Sequence, residues 1–197
     1  MRVSCVGDSI TAGLGIEDLD DIYPKQLEYL LGGNYIVNPY FGKSGAAVWH
    51  QSPSPYTTSL QYNKAKNWKT DVLVVCLGSN DTVNQINDTF KEQFVEDYHM
   101  LIAGLKKNSL KAKTYICKIP PIFGEDNVTF AERVPIINVL IEDVAKRAGA
   151  SLIDLNALLI SREDCFFSDG LHPNELGAGL IAETVYNAIK RNHIKTD

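Results

Sequence analysis

The chain has 197 residues, 45% of them hydrophobic, and a formal net charge of −5. That length and composition suit one globular domain over residues 1–197 and exclude a disordered chain. The acidic balance argues against a broad basic surface for nucleic acid, and no apolar run approaches the ~20 residues that span a bilayer.

A first strand is expected over residues 2–6, almost at Met1. The few apolar residues before Gly7 are too short for the core of a signal peptide. The chain therefore reads as cytoplasmic if Met1 is the native start, and as secreted or periplasmic if a signal has been removed. The strand runs into Gly7-Asp8-Ser9-Ile10-Thr11, which sets a hydroxyl on a sharp turn. A helix follows over 22–31, with apolar positions at Leu27, Leu30 and Leu31, and then a strand over 35–38. Gly42-Lys43-Ser44-Gly45 and the Pro/Ser-rich stretch from Gln51 to Tyr56 read as loops.

Residues 71–77 contain an unbroken apolar run, as expected of a strand covered on both faces. Gly78-Ser79-Asn80-Asp81 follows directly. Phe90, Phe94, Tyr98, Leu101, Ile102 and Leu105 form a helical stripe over 90–107. A strand over 113–119, a helix over 135–148 and a strand over 151–154 come next. After a longer loop carrying Asp169-Gly170-Leu171-His172-Pro173, a last helix is expected over 175–191, with Asn174 as its cap. Strand–helix alternation of this kind implies a parallel sheet with helices on both sides. Ligands then bind beyond the carboxyl ends of the strands, where Ser9, Gly45, Asn80, Asp169 and His172 all fall.

Ser9, His172 and Asp169 are the residue types that nucleophilic acyl transfer needs: a hydroxyl, a base to take its proton, and a carboxylate to orient the base. Each motif alone is equally at home in a turn or a helix cap. Asn80, through its amide, and Gly45 and Ser9, through their backbone N–H groups, are candidate donors to an oxyanion. Asp8 and Asp81 read as loop braces and Asp154 as structural. His50, His99 and His193 lack a comparable acid and turn context.

No spacing of His or Cys suggests a metal site. Cys5, Cys76 and Cys117 lie in strand-like apolar runs and read as buried free thiols. Cys165, four residues before Asp169, has no assigned role. Asn80, Asn87 and Asn127 stand in glycosylation sequons, which matter only in a secreted protein. Trp49, Tyr56, Phe123, Phe166 and Phe167 sit in loops near the site. They are candidates for stacking on a sugar or lining an acyl pocket, though packing is the weightier reading for most.

Taken together and in order, the blocks around Ser9, Gly45, Asn80 and Asp169–His172 resemble the SGNH hydrolases, also called the GDSL esterase/lipase family. The resemblance implies a flavodoxin-like, doubly wound α/β fold with a five-stranded parallel sheet in an α/β/α sandwich. It also implies metal-independent and cofactor-free ester hydrolysis. Two departures stand out. Ile10 replaces the usual Leu, and Asn38 precedes Gly45 by seven residues rather than five, as if Pro39-Tyr40 were inserted. Three stretches, Tyr23-Pro24-Lys25-Gln26-Leu27, Ser54-Pro55-Tyr56 and Lys118-Ile119-Pro120-Pro121-Ile122-Phe123, are similar to a bacterial branch labelled sialate O-acetylesterase or lysophospholipase-like. The implied activity is hydrolysis of short acyl esters, O-acetyl groups on carbohydrates foremost. A lysophospholipase or thioesterase is the alternative within the family, and a non-catalytic flavodoxin-like ligand-binding module the alternative outside it. The segment from Gly7 to Gly15 has neither a dinucleotide fingerprint nor a Walker A lysine.

Overall fold

The computed structural model describes residues 1–193. Five strands, β1 (Arg2–Gly7), β2 (Ile36–Gly42), β3 (Val72–Cys76), β4 (Lys113–Lys118) and β5 (Ser151–Asp154), form one wholly parallel sheet in the order β2-β1-β3-β4-β5. This is the doubly wound order with its switch point between β1 and β3. β3 lies at the centre and every one of its residues is buried. Its period of two sends Val72, Val74 and Cys76 to one face and Leu73 and Val75 to the other.

Helices cover both faces. α2 (Tyr23–Leu31), α7 (Leu155–Leu159) and α8 (Glu175–His193) pack with Val3, Cys5, Val74 and Cys117. α3 (Leu60–Asn67), α4 (Asp88–Leu105) and α6 (Val134–Ala148) pack with Val6, Leu73, Val75 and Ile116. The stripe expected on α4 is the one buried: Phe90, Phe94, Tyr98, Leu101 and Leu105 are each at most 2% exposed, worth roughly 1.5–3 kcal/mol apiece. Short helices α1 (Ser9–Ala12) and α5 (Val128–Ala131) lie in the loops beyond the strand ends. All four cysteines are buried and free, and Cys165 belongs to the cluster beneath α8 rather than to the site. Among the described residues no helix is long and apolar enough to cross a membrane.

Besides the short helices α1, α5 and α7, which no pattern announced, two elements differ from expectation. β2 continues to Gly42 instead of stopping at Asn38, because it is an edge strand and takes up Pro39 in a bulge. Ser4 pairs with Asn38 but Val6 pairs with Phe41, so two steps on β1 face three on β2. Tyr40 N turns aside to donate to Asn38 Oδ1 at 3.0 Å. The extra residue moves Phe41 to the opposite face from Val37. The two residues that lengthen the Asn38–Gly45 spacing sit in this bulge. The second difference is α3, which was not expected. Only Ala65 of its eight residues is buried, so it carries no apolar stripe. Ser59 marks its start by accepting from Tyr62 N at 3.0 Å.

Candidate active site

β1 ends at Gly7 and the chain turns directly into α1, with Asp8 as N-cap. Ser9 opens the helix, so its backbone N–H has no acceptor within α1. The residue is 93% shielded, with Oγ 2.9 Å from His172 Nε2. His172 Nδ1 lies 2.7 Å from Asp169 Oδ2. A carboxylate at that distance requires the proton on Nδ1, which leaves Nε2 as acceptor and the Ser9 hydroxyl as donor. Residues more than 160 positions apart thus form one hydrogen-bonded line.

The loop carrying Asp169 and His172 is held from several sides. Asp169 Oδ1 accepts from Leu171 N at 2.9 Å and from His172 N at 3.0 Å. Burial raises the pKa of this carboxyl, but those bonds and the imidazole outweigh it and hold it below the usual range. Gly170 has φ +66°, and a Cβ there would lie 2.3 Å from Phe123 O, so the position needs glycine on two counts. Phe123 N donates to Gly170 O at 2.8 Å. Asn127 Nδ2 clamps the two loops by donating to Phe123 O at 2.7 Å and to Asp169 O at 2.8 Å. As a sequon residue Asn127 gave no sign of this role; the contact joins segments 42 residues apart.

Asn80 stands in the turn after β3, and its Nδ2 donates to Ala46 O at 3.0 Å. Asp81, fully buried, accepts from Val48 N at 2.9 Å and Trp49 N at 3.0 Å. These three bonds tie the loop of Gly45 to the loop of Asn80. Gly45 sits at φ +75° with open space where a side chain would be. Ser9, Asn80 and His172 line one cavity of about 120 Å³. Asp169 lies behind His172, and Gly45 lies outside the cavity wall, on the loop anchored by Asn80.

Asp8 and Asp81 both carry carboxyls under the site. Burial pushes Asp81 up to about 7, with Asp8 and Asp97 adding to the shift against the two backbone bonds. Burial pushes Asp8 up to about 6, opposed by Ile10 N, the nearby Ser79 hydroxyl and His172. Asp8 Oδ1 accepts from Ile10 N at 3.0 Å, whereas Oδ2 has no hydrogen-bond partner. So Asp81 braces two loops as expected, and Asp8 braces only its own turn. Because the folded pKa of Asp8 lies above the unfolded value, the native state holds its proton longer. Stability from this group is full below about pH 4 and falls as pH rises to about 6, by roughly 3 kcal/mol. Asp8→Asn keeps the cap and removes the titration. Denaturant unfolding at pH 4 and pH 7 should show the variant gaining on wild type by roughly that amount at the higher pH. A difference that is constant with pH would contradict this.

The five loop aromatics are packing residues rather than cavity walls. Trp49 meets Phe90 edge-on at 5.3 Å and donates Nε1–H to Gln93. Tyr56 is fully buried, with its hydroxyl on Phe41 O. Phe123 and Phe166 pack edge to face at 5.1 Å, and Phe167 packs against Gly15. The cavity's apolar lining comes instead from residues outside the catalytic motifs, including Val83, Ile122 and Phe130. Among the described residues no group of three or more His, Cys, Asp or Glu is placed to hold a metal ion.

A model of the GDSL-like lipase/acylhydrolase family matches residues 5–180. An acetylxylan esterase of Xylanibacter ruminicola is 34% identical over 213 residues, covering 96% of this chain and 43% of the relative. The chain thus spans less than half the length of that curated relative. Among solved structures, the native M. smegmatis aryl esterase superposes with a TM-score of 0.74 at 16% identity, covering 96% of this chain and 98% of the other. An acetyl xylan esterase, AlAXEase, gives 0.71 at 22% identity, with 96% and 100% covered. At those identities the two structures speak to the fold alone.

Proposed function

The chain belongs to the GDSL-like lipase/acylhydrolase family, and on that premise we propose that it is a serine esterase removing short acyl groups, acetyl foremost, from carbohydrates. The observation that carries the proposal is the line Asp169–His172–Ser9, with bonds of 2.7 and 2.9 Å. Ser9 Oγ attacks the ester carbonyl carbon as its proton passes to His172 Nε2, and Asp169 stabilises the imidazolium. The oxyanion is held by the Ser9 N–H and the Asn80 amide, and the third proposed donor is the Gly45 N–H on the loop that Asn80 anchors. Collapse breaks the bond to the alcohol, which leaves with the proton from His172. Water then repeats the sequence on the acyl-Ser9 ester, giving the free acid and the starting serine.

The likeness to an acetylxylan esterase supports acetylated carbohydrate as the substrate class. The small cavity beside Ser9 favours short acyl groups over the long chains of a lysophospholipase. A non-catalytic binding module would have no use for a serine, histidine and carboxylate in hydrogen-bonded line. The test is hydrolysis of p-nitrophenyl acetate and release of acetate from acetylated xylan, with wild type and Asn80→Ala. Loss of one oxyanion donor should lower kcat by about 100- to 1000-fold. An Asn80→Ala rate equal to wild type would remove Asn80 from the proposed oxyanion site, and no hydrolysis of either substrate by wild type would remove the esterase.

A further inference from the structure

The cavity beside Ser9 has both polar and apolar lining. Ser9, Ser79, Asn80, Thr82 and His172 supply the polar part; Ile10, Val83, Pro120, Pro121, Ile122, Phe130 and Leu171 supply the apolar part. Its volume, about 120 Å³, equals that of about four water molecules at their liquid packing. A pyranose ring with its hydroxyls is far larger. Of the two halves of an acetylated sugar, only the acyl half fits.

The apolar lining is held by specific contacts. Asn138, buried in α6, holds the backbone of Ile119 with both ends of its amide, accepting from Ile119 N at 2.8 Å and donating to Ile119 O at 3.1 Å. That fixes the exit of β4, from which Pro120 and Pro121 run as a wall without backbone donors. Phe130, on the four-residue helix α5, lines the same cavity. Just beyond it, Arg133 Nη1 donates to Thr82 O at 2.8 Å. This bond straps the α5 segment to the turn that carries Asn80 and Val83. The same strap therefore couples the phenyl ring's position to the proposed oxyanion turn.

Resting on the esterase reading above, we infer that this cavity receives the acyl half of the substrate and that Phe130 sets its length limit, leaving the alcohol outside. Acetyl fits, each further methylene takes up the room that is left, and longer chains meet the Phe130 ring. The protein is on this view an acetyl esterase by the volume of its acyl pocket, and indifferent to the size of the alcohol.

The experiment is kcat/KM for p-nitrophenyl acetate, propionate, butyrate and hexanoate with wild type, Phe130→Ala and Phe130→Trp. Wild type should decline steeply beyond propionate. Each methylene newly accommodated is worth about fourfold, so Phe130→Ala should raise the hexanoate-to-acetate ratio by about tenfold or more. Phe130→Trp should lower the propionate-to-acetate ratio, an opposite change that unfolding cannot produce. Ser9-dependent acetate hydrolysis with both ratios unchanged would overturn the inference alone. Absence of Ser9-dependent hydrolysis of every ester would overturn the esterase reading and the inference with it.

Discussion

Ser9→Ala is expected to lower kcat for acetate esters by about 10⁶-fold, the scale seen when a serine hydrolase loses its nucleophile. The change removes one oxygen from a residue that is 7% exposed and whose Oγ is bonded to His172 Nε2. The Asp8 cap of α1 and the bonds around Asp169 do not involve that oxygen. The variant should therefore unfold at nearly the wild-type temperature while hydrolysis drops to background. Turnover within tenfold of wild type would mean that the hydroxyl is not the attacking group.

Asp169→Asn is expected to lower kcat by about 10⁴-fold, for a reason that lies in the loop's hydrogen bonds. Oδ1 accepts from both Leu171 N and His172 N. An asparagine must keep its oxygen there, because an amide nitrogen would face two donors. Its NH₂ group then takes the place of Oδ2, against His172 Nδ1. A donor facing Nδ1 forces the imidazole proton onto Nε2, and that nitrogen can no longer accept from Ser9. The fold and the two backbone bonds persist, and the base is held in the wrong tautomer. Imidazole ¹⁵N shifts in the variant would report Nε2–H in place of Nδ1–H. A loss of under tenfold, with Nδ1 still protonated, would contradict this role.

Much of the architecture could be read from the chain because its strongest signals are those of burial. β3 is an unbroken apolar run since it is covered on both faces, and α4 carries its stripe because one face meets the sheet. The elements that escaped lack such patterns. α3 buries only Ala65, and α5 is a single turn whose Phe130 is half-buried against a cavity, not against the core. The bulge in β2 replaces periodicity by a one-residue slip, visible in the sequence only as Pro39 and a long spacing to Gly45.

The site follows the same division. That Ser9, Asn80 and His172 come together at one cavity could be anticipated, because each stands in a turn beyond a strand end. The residues that hold those turns were less legible. Asn127 and Arg133 act through contacts that cross 42 and 51 positions, and no local pattern announces such a contact. Asp81 was expected as a brace, but that it grips the loop of Gly45 through Val48 and Trp49 emerges only from the fold.

Ser9 is the group proposed to become acylated, and covalent labelling tests that most directly. A fluorophosphonate reacts with a serine only where a base activates the hydroxyl and an oxyanion site accepts the phosphoryl oxygen. Intact mass after brief exposure, followed by peptide mapping, should show one adduct per chain, on Ser9, and none in Ser9→Ala. An unlabelled wild-type protein that is otherwise folded, or an adduct on any other residue, would contradict the assignment.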